Sequence, residues 1–585
     1  MIKFFQRAGS APESAWASRP WTAHYAPGVP REMTLPTGSL VDLMDQSVRR
    51  FGAKTALEFF GATTSYRELG KQISRTAAGL KKLGVRAGDR VALVLPNCPQ
   101  HIVAFHAVLR LGAVVVEHNP LYTDRELRHQ FEDHGATVAI VWDRVAGRIR
   151  QLPADIPVRT IISVELIPAM PLAKRLALKL PVAAARAGRA ALAATRAEMA
   201  LGAGPVPRAL VPWKSLLKSG ELRKRHPRPA AHDLAVLQYT SGTTGAPKGA
   251  MLSHSNLRAN AAQGRAWVPG LRDGKETVYG VLPMFHAYGL TLCMTFAFSI
   301  GAKLVLFPKF DVGLVMEAMK KSPATFLPAV PPIYDRIASA AAENNVSLKS
   351  IRFAISGAMN LPVATVETWE RATGGFLIEG YGLTETSPIL AGNPIGASRK
   401  PGTVGVPFPL TDIRVVNPDN VAEDRAQGQA GELLVRGPQV FAGYWKRPEE
   451  TEEVLLDGGW FRTGDIVSID SDHFLTIRDR IKELIITGGF NVSPVEVEDV
   501  LSAYPGIKEL AVVGLPRLGG GEDVVAAVVP EEGVTFDSSA FTDFARGTLT
   551  AYKVPRRVEI LDELPRSLIG KVLRKEIRSR LAADG

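Results

Sequence analysis

Short apolar runs alternating with segments of helical period predict an α/β protein built from layered, largely parallel sheets. Three observations carry this. Apolar runs of strand length recur at residues 90–96, 113–117, 137–142, 233–239, 302–307, 324–328 and 352–356. Stretches with helical spacing stand between or before them, notably 39–51, 64–83 and 312–321. A chain of 585 residues, 46% hydrophobic and 22% charged, is long enough for several such layers and ordinary for a globular protein.

Residues 1–36 hold five prolines and scattered tryptophans and read as an extended arm lying on a domain surface. The first helix, 39–51, stops at Gly52, a helix-ending residue. A second runs from Thr64 to about Leu83. The strand 90–96 is followed by a helix ending near Gly112, then by strands 113–117 and 137–142. Residues 165–232 interrupt the order with a composition of Ala, Leu, Lys and Arg. Pro181 can occupy the first turn of a helix, which the spacing extends over 182–200. Arg186, Arg189 and Arg196 then fall within an arc of about 80°, opposite a face of Ala with Val182, Leu192 and Met199. Such a basic amphipathic element suits an anionic membrane surface; a solvated insertion is the plainer alternative.

The next stretch, 239–249, reads YTSGTTGAPKG. Its glycines, Gly242 and Gly245 among them, let backbone N–H groups approach an anion. Thr240, Ser241, Thr243 and Thr244 add hydroxyl donors, and Lys248 adds a point charge. An apolar strand precedes it and the N-cap residues of Ser253-His-Ser-Asn follow it, so strand, phosphate loop and helix is the expected frame. It is not a Walker A loop: Pro247 stands where that motif needs glycine, and Gly249 where it needs Ser or Thr.

Downstream, 278–289 reads as a strand running into a turn that carries His286. Strands 302–307 and 324–328 flank the helix 312–321. The strand 352–356 closes on Gly357 and Ala358, small enough to let a flat ring approach the backbone. FLIEGYGLTETSP follows at 376–388, with Glu379, Gly380, Tyr381, Gly382, Thr384 and Glu385. Tyr381 offers a stacking face, Thr384 a hydroxyl, and Glu385 a hard oxygen ligand suited to Mg2+ on phosphates. DGGWFRTGD at 457–465 places Asp465 in a turn, where a carboxylate can accept ribose hydroxyls. Two helices (495–501, 541–549) and two strands (509–514, 524–529) come last, and the chain closes with LPRSLIGKVLR around Gly570 and Lys571.

In this order, YTSGTTGAPKGAMLSHSNL, GYGLTETSP, DGGWFRTGD, DRIKELIITGGFN and LPRSLIGKVLRKEIR resemble the adenylate-forming (AMP-binding) superfamily, and most resemble its long-chain fatty acid–CoA ligases. The resemblance spans about 35–580. It implies a large multi-layered N-terminal domain of sheets flanked by helices, 37–478, and a small mobile α+β C-terminal domain, 479–585. It implies ATP-dependent activation of a fatty acid to acyl-AMP, then transfer to CoA, with Mg2+ as metal. By matching positions it makes Lys571 the catalytic lysine, Lys482 the hinge, and Asp465 and Arg480 the ribose contacts. It places Glu385 with Mg2+ and Thr240 and Lys248 with the triphosphate; Gly357, Ala358, Glu379, Gly380, Tyr381, Gly382 and Thr384 join them around the nucleotide. His286 and Gly357 would line the acyl pocket. A fatty acyl-AMP ligase loading a carrier protein, a medium-chain or aryl acid–CoA ligase, and a non-catalytic nucleotide sensor at a membrane surface stay open.

The totals exclude several other classes. No run approaches the ~18 apolar residues of a membrane span, and the N-terminus lacks a signal-peptide core. Two cysteines, Cys98 and Cys293, form no framework or metal motif and suit a reducing cytosol. The net charge is +12, and residues 171–230 carry thirteen Lys or Arg against two acids, eleven of that surplus. One local basic element is not a nucleic-acid footprint; the expected location is cytoplasmic, and peripheral contact of this segment with the inner face of a membrane stays open beside the solvated insertion.

Overall fold

The structure, a computed structural model, describes residues 16, 18–195, 198, 204–240, 247–487, 490–517, 521–567 and 570–583. Two large sheets carry the N-terminal domain. The nine-stranded one has six parallel strands at its centre, in the order Phe376–Gly382, Phe353–Ser356, Phe326–Ala329, Thr277–Gly280, Lys303–Leu306, Thr55–Phe59. Antiparallel strands close both edges. The seven-stranded sheet runs Ala209–Pro212, Thr160–Val164, Val138–Trp142, Arg90–Val94, Val114–His118, Leu234–Tyr239, parallel throughout, and ends on the antiparallel Gly249–Ser253. The inner strands are buried along nearly their whole length, as parallel strands covered on both faces must be, while the edge strand Ala209–Pro212 is largely exposed.

Local signals place the helices well. Ser39 caps Leu40–Phe51 through a capping box with Asp42, and Ser65 caps Tyr66–Lys82. Ser253 caps His254–Trp267 through a box with Asn256, so the strand before the phosphate loop and the helix after it are both present. A third, antiparallel sheet holds Asp412–Asn417, Gly431–Arg436, Trp460–Ile469 and Leu475–Arg480. The C-terminal part has its own three strands, Ile507–Pro516, Glu522–Pro530 and Arg557–Ile560, and a hairpin of Ile485–Thr487 with Phe490–Val492. Helices Pro494–Leu501, Ser538–Thr548 and Arg574–Ala583 cover them. Its apolar clusters are separate from the main core. Leu475–Arg480 pairs with the large domain, so the change of domain falls in the 3-10 turn Ile481–Glu483.

One expectation needs correction. The helix expected over 182–200 is shorter, Ala183–Leu192, with Ala193 extended after it. Trp142 Nε1 donates to the Leu192 carbonyl at 3.3 Å and the Ala194 N–H donates to Asp143 at 3.1 Å, so long-range partners take the groups that would continue the helix. Arg189 turns back onto the carbonyls of Leu178 and Leu180 instead of joining a basic stripe; Arg196 and Met199 lie outside the described residues. A separate short helix, Leu172–Ala177, precedes it. The segment after His286 contains a π-helix, Gly289–Thr295, a form found frequently at functional sites.

Candidate active site

The carboxyl ends of the parallel strands of the nine-stranded sheet open into a cavity with about 680 Å³ of empty space, part of it open to solvent, the place where open α/β sheets bind ligands. Ser356, Gly357 and Ala358 enter from one strand end and Gly380, Tyr381 and Thr384 from the next; His286 stands opposite. Ala358 has φ 67°, a left-handed conformation uncommon for a residue with a Cβ and characteristic of functional loops.

Asp465 is 1% exposed. Arg480 Nε donates to its Oδ1 at 2.6 Å, across paired strands, and the Tyr381 hydroxyl donates to its Oδ2. The structure therefore brings Tyr381, Asp465 and Arg480 into one cluster. Asp465 holds the Arg480 guanidinium above its usual range, and burial followed by the Asp465 charge raises the Tyr381 phenol. Glu379, in the middle of the same strand as Tyr381, is buried, and its carboxyl is pushed up to about 8 by desolvation against one backbone N–H from Leu361.

Glu385 sits in the turn Thr384–Thr386, and its Oε1 accepts the Tyr444 hydroxyl at 2.7 Å. Tyr444 reaches this place because its segment pairs with the strand Gly249–Ser253: Ala250 bridges Tyr444, and the Trp445 N–H donates to the Gly249 carbonyl at 2.8 Å. Its ring carries Lys248, whose ammonium lies 5.0 Å from the ring centroid and pairs with Glu450. Tyr444 and Glu450 were not singled out from sequence. They lie 59 and 202 positions from Glu385 and Lys248, and GYW by itself is uninformative.

At the root of the phosphate loop, the Thr240 N–H donates to the Lys248 carbonyl at 2.9 Å and Lys248 N–H to Thr240 Oγ1 at 3.3 Å. Tyr239 is held by Asp133 at 2.6 Å. Ser241, Gly242, Thr243, Thr244 and Gly245 lie outside the described residues, and of Lys482 only the backbone position, in the turn Ile481–Glu483, is described.

Lys571 comes from the C-terminal domain. Gly570 before it has φ 81°, and a Cβ there would stand 3.2 Å from Met359 Sδ. Glycine thus allows both the turn and the seating of this loop against the Ala358–Met359 edge. Burial lowers the Lys571 pKa, and the Arg480 charge lowers it further, with Glu483 and Asp465 opposing. His286 is brought down to about 4 by burial and by Lys571. The ammonium, His286 and the Asp465–Arg480 pair therefore share one electrostatic neighbourhood, although Lys571 is more than a hundred positions from Asp465 in the chain.

Beyond His286 the lining turns apolar, through Leu292, Phe296, Phe326, Ile389 and Phe408. Small strand-end residues, a tyrosine bonded to a carboxylate–arginine pair and a histidine under the charge of a lysine, beside an apolar lining, suit an anionic nucleotide joined to an apolar acid. Among the described residues, no group of three or more His, Cys, Asp or Glu could hold a metal ion. Both cysteines are buried with thiols pushed up to about 12 by desolvation, unsuited to act as nucleophiles.

The family model described as AMP-binding enzyme matches residues 44–445, and the AMP-binding enzyme C-terminal domain matches 496–571. The chain is 37% identical over 563 residues to a long-chain-fatty-acid–CoA ligase of Bacillus subtilis, covering 96% of this chain and 98% of that one. It is 34% identical over 532 residues to a feruloyl-CoA synthase of Amycolatopsis, covering 90% and 96%. Among solved structures, ATP-bound MatB from Rhodopseudomonas palustris superposes with a TM-score of 0.78 at 30% identity, over 93% of this chain and 99% of that one. A fatty acyl CoA synthetase of Mycobacterium tuberculosis does so with a TM-score of 0.70 at 26% identity, over the same shares. The cavity at the strand ends, the lysine delivered by a second domain and these matches agree: the chain belongs to the AMP-binding enzymes.

Proposed function

We propose that the protein activates a long-chain fatty acid with ATP to acyl-AMP and transfers the acyl group to CoA, releasing AMP and pyrophosphate. The observation that carries this is the cavity at the strand ends, whose Tyr381 is bonded to the Asp465–Arg480 pair and whose His286 feels the Lys571 charge, with an apolar lining of Leu292, Phe296, Phe326 and Phe408. The names of the relatives just described support the acid and the thiol.

A carboxylate is a poor electrophile, so one of its oxygens attacks the α-phosphorus of ATP and pyrophosphate leaves. Lys571 would bridge the incoming carboxylate and the α-phosphate, countering the charge that builds between them. Asp465 and Arg480, already fixed on each other, would hold the ribose. Glu385 is a buried carboxylate with one oxygen on Tyr444, a hard donor that fits Mg2+ on the phosphates. When bound there, the metal would offset triphosphate charge. Lys248, paired with Glu450 beside the loop root, would exchange that partner for phosphate when ATP binds. His286 stays neutral at physiological pH and packs against the acid as a polar wall rather than a base. In the second step the CoA thiol attacks the acyl carbon and AMP leaves; Lys571 must first withdraw, which the turn at Lys482 permits.

Pyrophosphate release measured across fatty, aryl and medium-chain acids, with and without CoA, tests the reading. Release that depends on a long-chain acid and yields acyl-CoA supports it; an aryl optimum, or transfer only to a carrier protein, overturns it.

The basic segment 171–230 supports a second partner, an anionic membrane surface, but through a different face than the sequence suggests. Leu172, Leu176 and Leu180 are 65%, 53% and 53% exposed, and four-residue spacing places them on one side of the helix Leu172–Ala177 and its following turn. Arg175 and Lys179 flank them, and no acid occurs between 171 and 197. Lys174 ties the helix to the domain through Glu317 at 2.9 Å. Exposed leucines rimmed by cations suit shallow insertion among anionic headgroups. No helix among the described residues is long and apolar enough to cross a membrane. Flotation with phosphatidylglycerol vesicles should recover the wild type, and the triple Leu172→Ser, Leu176→Ser, Leu180→Ser variant should lose most of that binding; equal flotation of both removes this surface.

A further inference from the structure

The recess behind His286 ends at a definite wall. Trp267, the last residue of the helix His254–Trp267, stacks on Phe408 with centroids 4.4 Å apart and planes at 22°. Both rings are buried. Trp267 Nε1 donates to the Asn393 carbonyl at 3.1 Å, which fixes the indole's rotation. Under the pair lies Gly392, where a Cβ would come within 2.9 Å of Phe408 and 3.3 Å of Trp267 Nε1. The two rings therefore lie flat on bare backbone and form a plate across the cavity.

The plate has a brace. Tyr25, in the N-terminal arm, meets Trp267 edge to face at 5.2 Å and 83°. Its hydroxyl donates to the Pro407 carbonyl at 2.8 Å, next to Phe408. The arm is itself pinned: Arg19 pairs with Asp412 at 2.8 Å, and Trp21 is 1% exposed. One turn before Trp267, Gly264 also lines the cavity. A Cβ there would find Phe296 at 3.6 Å and Ile389 at 3.9 Å, ordinary contacts. A methyl group fits at this position, whereas a larger side chain must reach into the lumen.

We propose that the Trp267–Phe408 plate, held from behind by Tyr25 of the arm, is the stop for the far end of the acyl chain, and that Gly264 keeps the last stretch before it open. This rests on the fatty-acid reading above. Each methylene that finds apolar wall adds binding, and one that meets a rigid ring must displace it, so acids longer than the recess lose rate steeply. The arm then belongs to substrate selection and not only to surface packing. Leu292 of the π-helix Gly289–Thr295 also lines the recess, and the plate itself is fixed by a hydrogen bond, a stack and a brace.

The test is the profile of kcat/KM for pyrophosphate release over saturated acids from hexanoate to docosanoate, in wild type, Gly264→Phe, Trp267→Ala and Tyr25→Ala. Gly264→Phe should move the optimum to shorter acids and lower the palmitate-to-octanoate ratio by at least about tenfold. Trp267→Ala and Tyr25→Ala should move it the other way. Should Gly264→Phe or Trp267→Ala fail to fold, Gly264→Val and Trp267→Phe carry the same two directions with smaller shifts. A wild type active on fatty acids whose variants keep its profile shape overturns the plate as the stop. A wild type that releases pyrophosphate with no fatty acid overturns the parent reading instead, so the two failures are distinct.

Discussion

Lys571→Ala should lower adenylation by about 10²–10³, the usual cost of losing one group aimed at developing charge, while sparing thioester formation from added acyl-adenylate. Pyrophosphate release reports the first step, and CoA thioester formed from synthetic acyl-AMP reports the second. The asymmetry follows from geometry. Lys571 belongs to the small domain and is seated beside the large one by the Gly570 turn against Met359, so it would serve only the conformation shown here. Equal loss of both steps would mean that the substitution damages the site as a whole. The pH dependence of the first step carries a second signature. The lysine acts as a cation, and burial together with Arg480 lowers its pKa. Adenylation should therefore fall on the alkaline side at lower pH than an ordinary lysine near 10.4 would impose. His286, held at about 4, adds no inflection near neutrality. Lys571→Ala should remove the alkaline limb from whatever rate remains.

Lys482→Pro should produce the opposite pattern, adenylation retained and thioester formation strongly reduced. Lys482 lies in the turn Ile481–Glu483. Before it, Leu475–Arg480 is hydrogen-bonded into the large domain; after it, Ile485–Thr487 begins the small one. A rotation of one domain on the other must pass through dihedrals here, and proline locks φ near −65°. Single-turnover measurement of the two half-reactions checks the outcome; an unimpaired second step would count against this turn as the hinge.

The local chemistry was legible along the chain because it is written in short motifs. Capping at Ser39 and Ser253 depends on a hydroxyl and a partner three residues on. The alternation of apolar runs and helical spacing depends on periods of two and 3.6. The helix over 182–200 was overextended for the complementary reason. Its local propensity is good, and what ends it at Leu192 is Trp142 and Asp143, some fifty positions away. Likewise the basic face expected there is undone by Arg189 folding onto Leu178, while the exposed leucines stand on the shorter helix before it.

By itself, then, the sequence determined the order of the phosphate loop, Glu385, Asp465, Arg480 and Lys571, and with it the class of chemistry, since each role needs only the right side chain in the right motif. Tertiary structure alone decided what those side chains meet: Tyr444 on Glu385, Glu450 on Lys248, Tyr381 and Arg480 on Asp465. It also decided where the acyl recess stops. That wall joins Tyr25, Trp267 and Phe408, three aromatic rings spread over nearly four hundred residues. No period or motif relates them, and only close packing of the folded chain brings them onto the bare backbone of Gly392.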